Sequence, residues 1–170
     1  LLALRFAELA RALGLPGPAD VRYCPRSPAR DARELAAELL ERRGADLQRG
    51  FTAHGPHRDD LRLAHDGQSL RSYGSQGQQR VALLALLFAE RDVLAAERAR
   101  PPLMLLDDVM SELDAARREL LSELLRAGGQ GVVTTTDAEL VPGAGEDGVE
   151  LVRVADGQLI ASSSAGELAA

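Results

Sequence analysis

Between Pro101 and Asp108 the chain reads PPLMLLDD: two prolines, a short apolar run, then two adjacent carboxylates. A run of this kind, without polar alternation, predicts a strand covered on both faces, as in a parallel sheet. A helix predicted from Asp114 to Arg126, a Gly-Gly-Gln-Gly break and the run VVTTTD come next. They supply a second strand parallel to the first, joined to it by a right-handed crossover. Open α/β sheets hold their ligands beyond the carboxyl ends of such strands, which is where Asp107 and Asp108 stand. Two unpaired carboxylates side by side are costly unless a cation or hydrogen-bond donors offset their repulsion. The pair is either a working site or a strand end whose acids face solvent, and the motif by itself leaves both open.

A second feature lies upstream. The stretch SYGSQGQQR, Ser72 to Arg80, is polar and uncharged until its last residue, and runs into the nearly all-apolar VALLALLFAE. Ser75 followed three residues later by Gln78 is a capping box, in which each side chain satisfies the other residue's backbone N–H. That reading needs nothing beyond the chain. A helix start with a small hydroxyl and a glycine is also an anion site, because free N–H groups and the helix dipole both favour phosphate. Both readings put Ser75 at the cap.

Elsewhere the punctuation is clear. Leu1 to Leu13 has apolar residues at helical spacing and is stopped by GLPGPAD, after which VRYC reads as a short strand. Residues Ala29 to Arg43 read as an amphipathic surface helix ended by Gly44. From Phe51 the texture changes, and GPHRDDLRLAHDG reads as a strand closing on an Asp-Gly hairpin turn, so the chain is divided near Gly50. VELVRVADGQLI predicts a second Asp-Gly hairpin, and SSSAGELAA a frayed tail.

Composition narrows the function classes. At 170 residues and 45% hydrophobic content the chain can fill a core. A net charge of −6 provides no general field for nucleic acid, so binding of that kind needs a local patch. The single cysteine, Cys24, cannot form an internal disulfide and points to a reducing cytoplasm. The apolar run Val81 to Ala89 is too short to span a bilayer, and no membrane role is expected. His54, His57 and His65 lack the spacing of a zinc site, and His57 and Arg58 are expected to lock their strand through hydrogen bonds. No GxSxG elbow accompanies the Ser, His and Asp residues, which argues against a hydrolase triad. Arg80, Arg117 and Arg118 stand among glutamates as helix-surface pairs, and no DNA contact is assigned to them.

In order, Ser75-x-Gly77-Gln78 before an apolar helix, LMLLDD, SELD and a Thr-rich second strand resemble the signature motif, Walker B and D-loop of ABC-type ATPases, most closely the SMC-related branch. Within it, GPHRDDL, YGSQGQQR, LLDDVMSELD and VTTTD are similar to the RecF family of bacterial DNA replication and repair proteins, densely from Asp46 to Asp137. The resemblance implies an α/β fold: residues 51–170 as the C-terminal lobe of an ABC/SMC-type ATPase head, with a parallel-sheet core, flanking helices and β-hairpins. Residues 1–50 would be the end of a helical arm domain. It implies that Asp107 holds Mg²⁺ through water and that Asp108 polarises the attacking water. Ser75, Gly77 and Gln78 would meet the γ-phosphate of ATP bound to the other subunit, and Ser111 to Asp114 would form the D-loop crossing that interface. Thr135 would be the γ-phosphate sensor where many ABC proteins carry histidine. The implied partners are DNA at single-strand/double-strand junctions, a second copy in an ATP-dependent homodimer, RecR and RecO, and indirectly RecA.

Two departures matter. Asp108 stands where many relatives have glutamate, so slow hydrolysis is expected of a complete protein. The sequence contains no lysine, whereas Walker A requires one, so this chain cannot complete an ATP site and is expected to be inactive alone. Two alternatives remain: a transporter's nucleotide-binding subunit, although DDVMSELD lacks the usual Glu-Pro, and a non-enzymatic dimerisation module.

Overall fold

A computed structural model describes residues 1–146 and 148–161 of the chain. Apolar residues at helical spacing form α1 (Leu2–Ala12), which turns Phe6, Leu9 and Ala10 inward and packs on β1 (Ala19–Cys24). α2 (Ala32–Arg49) starts where the Asp31 carboxylate accepts the N–H groups of Arg33 and Glu34, and ends at Gly50 in the left-handed conformation. The expected stop at Gly44 is thus corrected: the helix runs through it. Glycine inside a helix costs about 1 kcal/mol against alanine but does not break it. The end is set by a residue that can adopt positive φ at the C-cap, and Gly50 does so at 78°.

β1 pairs antiparallel with β2 (Asp60–His65), in register from Ala19 opposite His65 to Cys24 opposite Asp60. The tight turn at Asp66 and Gly67, both at positive φ, leads into the short β3 (Gln68–Ser69). This pairing joins segments on either side of Gly50, the position at which the sequence reading divides the chain. Two further ties hold it. Asp59, just before β2, accepts the Tyr23 hydroxyl and the Arg26 N–H, the latter at 2.7 Å. Glu38 of α2 accepts the Ser27 hydroxyl and lies 3.2 Å from the Arg42 guanidinium, which also donates to His54 at 3.0 Å.

His57 and Arg58 behave as expected of locking residues: His57 Nε2 lies 3.0 Å from the Thr52 carbonyl oxygen, and Arg58 Nε donates to the same oxygen at 3.3 Å. Among the described residues no group of three or more His, Cys, Asp or Glu is placed to hold a metal.

α3 (Leu70–Tyr73) is a single turn that buries Leu70. α4 (Gln76–Arg98) follows and buries Val81, Ala82, Ala85, Phe88 and Ala89. Chain contacts define two compact units, Leu1–Ala89 and Glu90–Ala170.

In the second unit, β4 (Met104–Asp107) and β5 (Gly131–Thr134) pair in parallel, as the sequence predicts, with Asp107 opposite Thr134. Met104 and Leu106 are buried while Leu105 between them is 67% exposed, so β4 is covered on one face rather than both. α5 (Ala115–Arg126) joins the strands; its N-cap Asp114 accepts the Arg117 N–H. Near its other end, Arg91, itself buried, donates to the Leu124 carbonyl at 2.6 Å. That bond satisfies a carbonyl in the last turn with a positive charge, where the helix dipole favours one. β6 (Val152–Ala155) and β7 (Gln158–Ala161) form the second Asp-Gly hairpin. The expected frayed tail falls on residues 162–170, outside the described residues. No helix among those described is long and apolar enough to cross a membrane.

Because Phe6 is fully buried, Phe6→Ala should destabilise the protein by about 3–5 kcal/mol, read as a lowered urea midpoint. Leu40→Ala, on the exposed side of α2, should change stability by no more than about 0.5 kcal/mol. The Arg26 N–H and then the Tyr23 hydroxyl hold the Asp59 carboxyl below its ordinary range. A depressed folded-state value means that Asp59 contributes stability above the ordinary carboxylate pKa of about 4 and loses it as pH falls through the folded value. Thermal melts of the parent and Asp59→Asn should therefore differ at neutral pH and converge in strong acid.

Candidate functional site

The N-terminus of α4 carries the first cluster. Ser75 Oγ accepts the Gln78 N–H at 3.2 Å, and Gln78 Oε1 accepts the Ser75 N–H at 2.9 Å, a complete capping box. Gln79 adds a bond from its side-chain amide to the Gly74 carbonyl at 2.9 Å. The two glycines of this segment differ in what they answer to. A Cβ at Gly74 would lie 2.7 Å from the Leu70 carbonyl oxygen, so the fold itself requires glycine there. At Gly77 nothing lies within 4 Å of an added Cβ, and φ is not positive. Neither crowding nor a positive φ therefore requires glycine at position 77, as neither does at Gly44 in α2.

Ser75, Gln76 and Gly77 are all exposed. The first-turn N–H groups lack partners within the helix, and the Ser75 hydroxyl, which accepts in the box, keeps its own proton to donate. This is a short, uncharged donor set with open space in front of its glycine, and it suits an anion that approaches the backbone closely.

The second cluster sits at the carboxyl end of β4. Asp107 is exposed, and its Oδ1 accepts the Thr134 hydroxyl at 2.5 Å. Asp108 takes up a left-handed backbone, φ 48°, immediately after the strand. Its N–H is shared between the carbonyl oxygen of Thr134, at 3.1 Å, and the Thr134 hydroxyl oxygen, at 3.0 Å. Its carbonyl accepts the Ser111 hydroxyl at 2.9 Å. Positive φ at a non-glycine residue is strained, and here three hydrogen bonds hold it in place. Both carboxylates point out of the strand end, one aligned by a hydroxyl and one by a bent backbone.

The loop beyond is equally tied. Met110–Glu112 makes one 3-10 turn whose Met110 carbonyl accepts Arg118 Nε at 2.8 Å. Asp114 caps α5 and pairs with Arg117 at 2.9 Å. Of the arginines read as surface pairs, Arg117 is one and Arg118 is a clamp on this loop. Thr135, the residue singled out as a phosphate sensor, turns its hydroxyl onto its own loop, donating to the Asp137 carbonyl at 2.9 Å and accepting the Asp137 N–H at 3.2 Å.

Sequence reasoning gave Thr134 no role of its own and read Arg118 as a surface pair. The signal for Thr134 was the pairing of a second parallel strand, whose last residue falls opposite the last residue of the first. For Arg118 no local signal distinguishes a clamp from a solvated helix arginine.

Mg²⁺ is usually held by one or two carboxylates together with substrate phosphates rather than by a cage of protein groups. Asp107, exposed and with one oxygen left clear by Thr134, fits that pattern as a single protein ligand.

No family model matches the chain. It is 43% identical over 157 residues to a protein of Anaeromyxobacter sp. (strain Fw109-5) named DNA replication and repair protein RecF, covering 86% of this chain and 42% of that protein. A protein of the same name from Myxococcus xanthus is 41% identical, covering 94% of this chain and 44% of its own length. The chain therefore spans less than half the length of the curated relatives it matches.

Among solved structures, the recombination mediator protein RecF in complex with ATP superposes with a TM-score of 0.67 at 26% identity, over 95% of this chain and 43% of that one. An Smc head bound to the C-winged helix domain of ScpA matches with a TM-score of 0.54 at 18% identity, a likeness of fold alone. By sequence and by fold, this chain corresponds to the C-terminal part of RecF, built as part of an SMC-type ATPase head.

Proposed function

We propose that this chain is the signature-bearing and Walker B-bearing portion of a DNA replication and repair ATPase, one that uses ATP to join two copies of itself on DNA. The observation that carries the reading is Gly77. It stands in the first turn of α4 with open space around it, beside a capped serine whose proton is free to donate. No neighbour within 4 Å crowds this position, and glycine there leaves room for a triphosphate to approach the backbone. The ATP complex of the solved RecF relative supports the same nucleotide.

In this reading Ser75 donates to the γ-phosphate of ATP bound to the other copy, Gly77 keeps the approach clear, and Gln78 holds the serine in place. An acid in this segment would repel the nucleotide, which accounts for its uncharged character. Asp107 is the protein ligand for Mg²⁺, which supplies neutralisation of the phosphate charge when bound. Asp108 orients the attacking water and takes its proton; its side chain is one methylene shorter than glutamate, which favours slow turnover. Ser111 and Asp114 form the loop that meets the second copy, and Thr135, to sense the γ-phosphate, would have to turn its hydroxyl proton away from the Asp137 carbonyl.

Because the nucleotide is shared, ATP favours the paired state by its differential affinity for it, and hydrolysis releases the pair. DNA at single-strand/double-strand junctions is the substrate surface, RecR and RecO the protein partners, and RecA the protein whose loading is assisted. The cytoplasm is the compartment, and the end of a helical arm in residues 1–50 followed by the lobe in 51–170 is the domain division.

In a complete protein carrying these residues, Ser75→Arg should leave ATP binding intact and abolish ATP-dependent dimerisation, measured by light scattering. Dimers that persist would refute the role of this helix end. The 170-residue chain by itself, which has no lysine to complete a phosphate-binding loop, should show no micromolar ATP binding in calorimetry.

A further inference from the structure

We propose that Thr134 is a positioning residue for the paired aspartates: a single hydroxyl that aligns the Asp107 carboxylate and fixes the bent backbone from which Asp108 projects. The inference deepens the nucleotide reading above and rests on it.

The parallel register sets Thr134 directly opposite Asp107. From there its hydroxyl proton goes to Asp107 Oδ1 at 2.5 Å, and its oxygen accepts the Asp108 N–H at 3.0 Å. Donating one proton and accepting one N–H are compatible for a hydroxyl, so the two bonds form together. One side chain thus touches both acids.

The first bond selects a rotamer for Asp107 and occupies one of its oxygens, leaving the other for a cation or a bound water. The second bond helps hold Asp108 at φ 48°. Of the four non-glycine residues at positive φ among those described, Asp66 and Asp156 are in Asp-Gly hairpin turns and Ala99 follows the end of α4. Asp108 alone has positive φ where a strand delivers a candidate catalytic group. Strain that persists at such a place needs surrounding bonds to determine it; beside the Thr134 backbone carbonyl and the Ser111 hydroxyl, the Thr134 hydroxyl supplies one of the three. Neighbouring Thr135 cannot substitute, since its hydroxyl is turned toward Asp137.

Valine matches threonine in shape but lacks the hydroxyl, and serine keeps the hydroxyl. The test compares Thr134→Val and Thr134→Ser in a complete protein carrying these residues. Thr134→Val should lower kcat for ATP by at least about tenfold and raise the Mg²⁺ concentration needed for half-maximal turnover, with KM for ATP within about twofold of the parent. Thr134→Ser should restore kcat to within about threefold. Hydrogen exchange of the nucleotide-free protein supplies a readout independent of turnover: the peptide containing Asp108 should exchange faster in Thr134→Val than in the parent or Thr134→Ser. If Thr134→Val does not fold, Thr134→Ala carries the same expectations.

Turnover, Mg²⁺ requirement and Asp108 exchange all unchanged in the hydroxyl-free variant would overturn the inference. Asp107→Asn, measured alongside, separates the two levels of the argument. Loss of turnover in Asp107→Asn with none in Thr134→Val removes the positioning role alone, whereas full turnover in Asp107→Asn removes the nucleotide reading and the inference with it.

Discussion

The parallel pairing of β4 with β5 is the constraint on which the acidic site depends. Side chains alternate across a strand, so Met104 and Leu106 face the interior while Leu105 and Asp107 face the other way. A register slip of one residue would exchange these sets, exposing Met104 and Leu106 and turning Asp107 inward. The cost of burying a carboxylate and exposing two large apolar groups therefore holds the acids in place. The same register brings Thr134 level with Asp107, and from that one alignment follow the hydroxyl bridge and the bend at Asp108.

The other cluster depends on purely local chemistry. Ser75 and Gln78 close a capping box within four residues, an arrangement that any exposed helix can use. The two glycines around it differ in their surroundings. Gly74 is explained by the Leu70 carbonyl against which any side chain would collide, and Gly77 by nothing in the chain. The box holds the serine still, and the proposed donation to a phosphate would use that same geometry.

The GPHRDD motif, by contrast, serves the scaffold. His57 and Arg58 converge on one carbonyl, Thr52, and Asp59 gathers the Tyr23 hydroxyl and the Arg26 N–H. Three consecutive polar residues thereby fasten β2 to the segment after β1 and to the loop after α2. Asp107 and Asp108 are likewise exposed, but stand at the carboxyl end of a parallel strand.

Sequence alone settled what depends on near neighbours: the capping box from Ser75 and Gln78, the Asp-Gly hairpins, the helix ending at Arg126, and the two apolar runs that became parallel strands. Each follows from spacing or from a residue's own backbone preference, so three or four positions carry the whole signal. Tertiary structure decided what depends on residues distant in the chain. β1 found its partner about 40 positions later in β2, and α2 passed through Gly44 to end at Gly50 in the left-handed conformation. Of three consecutive threonines, strand pairing chose Thr134 for the acids and left Thr135 to its own loop. Identical side chains carry no label in a sequence; only the strand opposite distinguishes them, because a hydroxyl acts over about 3 Å and the chain must fold to bring anything that close.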